Sequence, residues 1–296
     1  MSLRPASQRT SVPITRSELW ISDGSVVLQA ESTQFRVHFG VLARHSTVFR
    51  TMQGLPQPPG EPTVDGCPVL QLADDLTDVE YLLKALYDPT FLSQKALPLP
   101  AVGALIRLGR KYEFKNLLNL AVSRLTTEYP TTLEALDALS PELQTITGYP
   151  GVNFDVIVLA SENDILSVLP SAYYYCSIGL GSPGVLFEGI ENADGTTSAL
   201  PPQGYTLGWV LDSAMVAGCT DPFKCRQARE MFARLCLDNA HLLAFLGTSS
   251  LSEWCQLCVV CHQYAKEAMN AGRIKMWAEL PQLFDLSPWS ELVNDL

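Results

Sequence analysis

Charge is scarce in this 296-residue chain, and basic charge scarcest: 20 Lys and Arg face 31 Asp and Glu, a formal net charge of −11. Phosphate attraction needs a basic patch, so this balance argues against a nucleic-acid or anionic-membrane binder. Two short basic runs, residues 107–111 and 225–229, do not reverse it and are expected to be solvated helix faces. No uninterrupted apolar stretch reaches the roughly 18 residues of a membrane span. Residues 1–16 lack the apolar core of a secretory signal, carry Pro5 and Pro13, and read as a disordered polar tail. An intracellular, reducing compartment is the expectation, with the eight cysteines as free thiols or metal ligands rather than disulfides.

Histidine is also rare. None of His38, His45, His241 and His262 lies in a recognisable nucleophile context, and Gly181-Ser182 lacks the preceding glycine of a nucleophile elbow. The acidic pair Asp74-Asp75 stands before a helix, where capping and the helix dipole explain it. The residues therefore predict a chain that is not an enzyme.

What is present is apolar pattern. Hydrophobic residues make up 47% of the chain, enough for two cores at this length. The stretch from Phe35 to Met52 changes period part-way. Phe35 and Val37 alternate as in a half-buried strand; Val41, Leu42, Val48, Phe49 and Met52 then recur at helical spacing, with Ser46 placed to cap a second helix. Upstream, Val26 to Ala30, a turn at Glu31–Thr33 and a return strand predict a β-hairpin. Downstream, Val69, Leu70 and Leu72 mark a third strand after a Pro- and Gly-rich surface loop at 54–66. A helix capped at Thr77 and stopped by Pro89 comes next, then two apolar helices separated near Glu113.

The pattern Phe35-x-x-His38-x-x-x-Leu42 followed by Ser46-x-x-Phe49, in this element order, resembles the heart of a BTB/POZ domain. The resemblance covers roughly residues 17–129. Leu19-Trp20, Asp23-Gly24 and the Cys67-Pro68 strand are similar to the large BTB families of mushroom-forming (basidiomycete) fungi. It implies an α+β N-terminal domain of short strands and a helical cluster, acting in protein–protein interaction and pairing as a homodimer. The apolar residues Leu19, Trp20, Val41 and Leu42 are the interface candidates. The alternatives are a substrate adaptor of a ubiquitin ligase, with a cullin as partner, or an enzymatic or metal-binding helical domain in the C-terminal half. Many BTB domains carry Lys or Arg after the motif histidine; this chain has Phe39, and His38 is expected to be structural.

Residues 130–296 read as a mainly α-helical C-terminal domain. Thr131 or Thr132 opens a helix that Pro141 ends or follows. Two more follow, broken near Asn163 and interrupted or ended near Pro170. Thr220-Asp221-Pro222 initiates another helix running to about Leu246. The segment 250–286 reads as a long helix and a shorter one, with Trp254, Trp277 and Trp289 placed to anchor packing. Gly179 to Gly184 fits G-x-G-x-x-G by letter, but Pro183 and the missing βαβ context make it a loop, so no cofactor is expected. Cys255, Cys258, Cys261 and His262 are the metal-ligand candidates. They lie near one helical face, and one helix cannot easily present four tetrahedral ligands without a second element carrying Cys219 or Cys225. Apolar neighbours favour core cysteines instead, and no metal is expected.

Overall fold

The computed structural model describes residues 13–55, 60, 62–140, 142–179, 190–191, 197–198, 209–210, 216–238 and 255–296. Val26, Val27, Leu28 and Ala30 are all fully or almost fully buried, so both faces of strand β2 (Val26–Ala30) are covered. A strand buried on both faces loses the hydrophobic–polar alternation and occupies the middle of a sheet. It pairs antiparallel with β3 (Thr33–Val37) and parallel with β5 (Cys67–Leu72). Strand β1 (Thr15–Trp20) lies parallel on the outer side of β3, and the two-residue β4 (Thr63–Val64) lies on β5, giving the order β1-β3-β2-β5-β4. Thr15 and Arg16, expected in the tail, belong to β1.

The strand-to-helix switch falls at His38, which precedes α1 (Phe39–His45). Ser46 separates α1 from α2 (Thr47–Gln53). Its hydroxyl accepts the Phe49 N–H at 3.0 Å and donates to the Tyr112 carbonyl, so the predicted cap is also a tether to a distant segment. Helix α3 (Leu76–Tyr87) is capped by Asp75, not Thr77: its carboxylate accepts the N–H groups of Thr77 and Asp78. A carboxylate serves both the free N–H groups and the positive end of the helix dipole. Pro89 opens α4 (Pro89–Ser93), which is followed by α5 (Leu99–Lys111) and α6 (Lys115–Glu128). Glu113, at φ +55°, makes the break between the last two. In the run at 107–111, Arg107 and Lys111 are exposed, as expected, and each is also ion-paired. Arg107 grips Asp78 with two bonds of 2.6 and 2.7 Å, and Lys111 reaches Asp74 at 2.5 Å.

Beyond the sheet, the described residues are mostly helical. The chain divides into two compact units between Arg124 and Leu125, within α6, with Thr145–Thr147 assigned to the first. There, the Leu97 N–H donates to the Thr145 carbonyl, and the Arg124 guanidinium donates to the carbonyls of Leu92, Gln94, Lys95 and Thr145.

The second unit contains α7 (Leu133–Asp137), capped by Thr132, α8 (Val152–Glu162) and α9 (Leu169–Gly179). Pro170 stands in the first turn of α9 rather than ending a helix, since the N–H it lacks would have no partner there. Residues Ile190–Glu191 (β6) and Thr197–Ser198 (β7) form a short antiparallel ladder. Helix α10 (Pro222–Asp238) starts at the predicted Asp221-Pro222, with Asp221 accepting the Lys224 N–H at 3.2 Å. Within the second basic run, Arg229 is buried and donates to the Trp209 carbonyl at 2.6 Å. A single helix, α11 (Val259–Leu283), replaces the predicted pair and runs through Pro281. Leu133, Tyr174, Met276, Trp277 and Leu280 form one core; Trp209, Ala228, Phe232, Cys255 and Ala265 form another. No described helix is long and apolar enough to cross a membrane.

Candidate functional sites

Among the described residues, each unit has one place that gathers chemistry or presents a strand edge. The edge strand β1 of the first unit has, among the described residues, only β3 as a neighbour. An edge presents unpaired backbone groups, and here they accompany half-buried Leu19 and Trp20 and exposed Ile14. Arg16 lies over the Trp20 ring at 4.3 Å. Val41 is half-buried, but Leu42 is fully buried within its own chain. Leu42 is therefore a core residue and not an interface candidate: at helical spacing it turns inward while Val41 turns toward the surface.

Between β1 and α3 lies a cleft of about 560 Å³, which the sequence pattern did not reveal. Arg16, Leu19, Glu80, Lys84, Tyr87 and Asp88 contribute to its lining. The Tyr87 hydroxyl accepts the His38 N–H at 2.9 Å, and burial pushes its phenol above the ordinary value. His38 stacks on the Tyr87 ring, with Nε2 3.3 Å from the Asp23 carboxylate. That bond holds the Asp23 carboxyl below the usual carboxylate range. His38 thus has structural partners at the strand–helix junction on both its backbone and its ring.

Gly24 has a physical requirement beside this junction. A Cβ there would stand 2.9 Å from the Arg36 Cγ and 3.0 Å from the backbone of Ile21 and Val37.

In the second unit four sulfurs converge. The Sγ atoms of Cys219, Cys225, Cys258 and Cys261 all lie within 4.8 Å of one another. Cys219 sits at the end of a turn with Gly218 at φ +83°, its N–H bonded to the Val216 carbonyl. Cys225 is in the first turn of α10. Cys258 is the residue capping α11, and Cys261 lies in that helix's first turn. The first turns of both helices thus meet at the cluster, and their positive ends favour thiolate charge.

The expected arrangement is corrected in two ways. Helix α11 starts at Val259, so Cys255 and Cys258 are outside it and the four predicted ligands do not share a helical face. Cys258 and Cys261 do not sit in separate core contacts. They face each other and the two upstream cysteines that a tetrahedral site would need. Cys255 is buried in the Trp209 core with its thiol 3.5 Å from the Ala228 carbonyl, and His262 is outside the sulfur group.

Backbone donors surround the sulfurs. The Cys258 N–H reaches Cys225 Sγ at 3.2 Å, and the Cys261 N–H reaches Cys258 Sγ at 3.5 Å. The Cys261 and Thr220 N–H groups bring the Cys258 thiol down to about 5, while burial pushes the thiols of Cys225 and Cys261 up.

Glu61, Trp254, His241, Gly181-Ser182 and the stretch 180–184 of the glycine motif lie outside the described residues, as do Pro141, residues 1–12 and residues 239–246. Comparison with protein-family models and with curated proteins finds no match.

Proposed function

We propose that the chain is a BTB/POZ-type protein–protein interaction protein, of the kind expanded in mushroom-forming fungi. It acts by binding rather than catalysis and associates with a second copy of itself through its N-terminal half. The observation that carries this reading is the pairing order of the first unit. A β2–β3 hairpin leads into the helical pair α1–α2, β5 returns parallel to β2, and α3, α5 and α6 follow. This is the element order the motif around His38 implies. The unpaired edge of β1, with Leu19 and Trp20, supports pairing between two copies, because a two-fold contact would cover the same edge on each. An intracellular setting accompanies the reading, since clustered thiols persist where the compartment is reducing.

Light scattering on the full chain tests it. A dimer at micromolar concentration is expected, and Trp20→Asp should yield a monomer with an unchanged circular dichroism spectrum. A strict monomer at high concentration would overturn the proposal.

A further inference from the structure

We infer that Cys219, Cys225, Cys258 and Cys261 form a structural zinc site. The reading is independent of the proposed BTB role, since all four residues lie in the second unit.

Distance decides first. Four sulfurs placed tetrahedrally at zinc–sulfur lengths of about 2.3 Å stand about 3.8 Å apart. Cys258 Sγ and Cys219 Sγ are 3.8 Å apart, and no pair in the group exceeds 4.8 Å. A disulfide requires sulfurs about 2.05 Å apart and uses only two of them. All four are free thiols.

Local structure agrees. Cys258 and Cys261 are separated by two residues, and the chain turns from extended to helical at Cys258. With Cys258 at the cap and Cys261 in the first turn, both sulfurs lie at the start of α11 on the same side. Cys219 and Cys225 approach from a turn and a helix start some 30 to 40 positions earlier, so the ion would join the beginnings of α10 and α11. Backbone N–H groups on Cys225 and Cys258 sulfurs are the second layer that orients thiolate ligands and offsets their charge.

Ligand type narrows the ion. Four thiolates in tetrahedral array suit zinc or iron and do not suit magnesium or calcium, which take oxygen ligands, and elemental analysis separates zinc from iron. Four protein ligands also leave no open position for water or substrate, so the site is structural rather than catalytic.

The test uses the full chain purified without chelator. Elemental analysis should find one zinc per chain. Cys219→Ser and Cys258→Ser, at half-exposed positions, should each lose it, while Cys255→Ala keeps it. Cobalt added to the metal-free protein should give the visible bands of a tetrahedral thiolate complex. A third measurement needs no variant. With zinc bound, the four thiols should resist iodoacetamide, and a chelator should expose all four while leaving the reactivity of Cys67 unchanged. Failure to bind zinc or cobalt after reconstitution would overturn the site. So would zinc retained in both serine variants, or a Cys258–Cys261 disulfide as the stable state of freshly purified protein.

Discussion

The indole N–H of Trp289 donates to the backbone carbonyl of Trp277 at 2.8 Å, and the two rings stack at 5.0 Å. Pro281, four residues after Trp277 in α11, has no N–H to offer that carbonyl, so the indole stands in for the missing helical donor. Trp289→Phe keeps much of the stacking and removes only the bond, and should cost about 1–3 kcal/mol in urea unfolding. In a Pro281→Ala background the alanine N–H is available, and the same Trp289→Phe change should cost about 1 kcal/mol less. Strict additivity in the double-mutant cycle would show that the two donors do not substitute for one another.

Two glycines should respond to alanine with opposite signs. A Cβ at Gly109 in α5 would come 3.0 Å from the Cβ and 3.2 Å from the backbone N of Leu118 on α6. Backbone does not yield as a side-chain end does, so Gly109→Ala should destabilise by about 1–3 kcal/mol despite its gain in helix propensity. Gly40 in α1 is exposed, with nothing within 4 Å of the added atom. Gly40→Ala should stabilise by about 0.5–1 kcal/mol. Thermal midpoints moving in opposite directions would check the pair.

Alkaline stability should depend on Tyr112. Burial, then its bond to the Asp74 carboxylate at 2.5 Å, raises its phenol above the ordinary value near 10. The folded state therefore holds this proton more tightly than the unfolded chain. The stabilisation is fully present below about pH 10 and is lost as pH climbs through the raised value. Burial raises Tyr129 in the same direction. Tyr112→Phe should lower stability at neutral pH, through the lost bond, and flatten the decline above about pH 10. Parallel pH curves for the two proteins would exclude Tyr112 as a source of the decline.

Direct recruitment of a cullin should be weak or absent. Cullin-binding BTB domains resemble one another in a hydrophobic residue, a spacer and a glutamate before the third strand. Here Leu55 is 63% exposed after α2, but Gln57 stands where the acid would be, and Pro59-Gly60 precedes the one glutamate of the loop, Glu61. Interface energy concentrates in a buried apolar anchor, with charge serving encounter and specificity. Calorimetric titration should show no sub-micromolar binding. Tight binding abolished by Leu55→Asp would make the adaptor role the leading one.

Local signals carried well into the fold. The hairpin, the strand at Cys67–Leu72, the Ser46 cap, the break at Glu113, the Thr132 cap and the Asp221-Pro222 start all depend on neighbours within a few residues, which sequence displays directly. Those that misled did so where another unit of structure intervened. Leu42 and Val41 are adjacent letters, and only the packing of α1 sends one to the core and the other toward the surface. Arg107 is exposed, as its polar run implies, but its pairing with Asp78, 29 residues earlier, depends on α3 and α5 meeting. The cysteines show the division most clearly. Their residue type and the two-residue spacing of Cys258 and Cys261 were in the sequence, which set what chemistry the chain could hold. Whether those thiols were core filler or a cluster turned on where α11 begins and on which distant segment meets it. Sequence fixes chain spacing, but convergence across more than thirty residues is decided by tertiary packing, because only that brings the starts of two helices together.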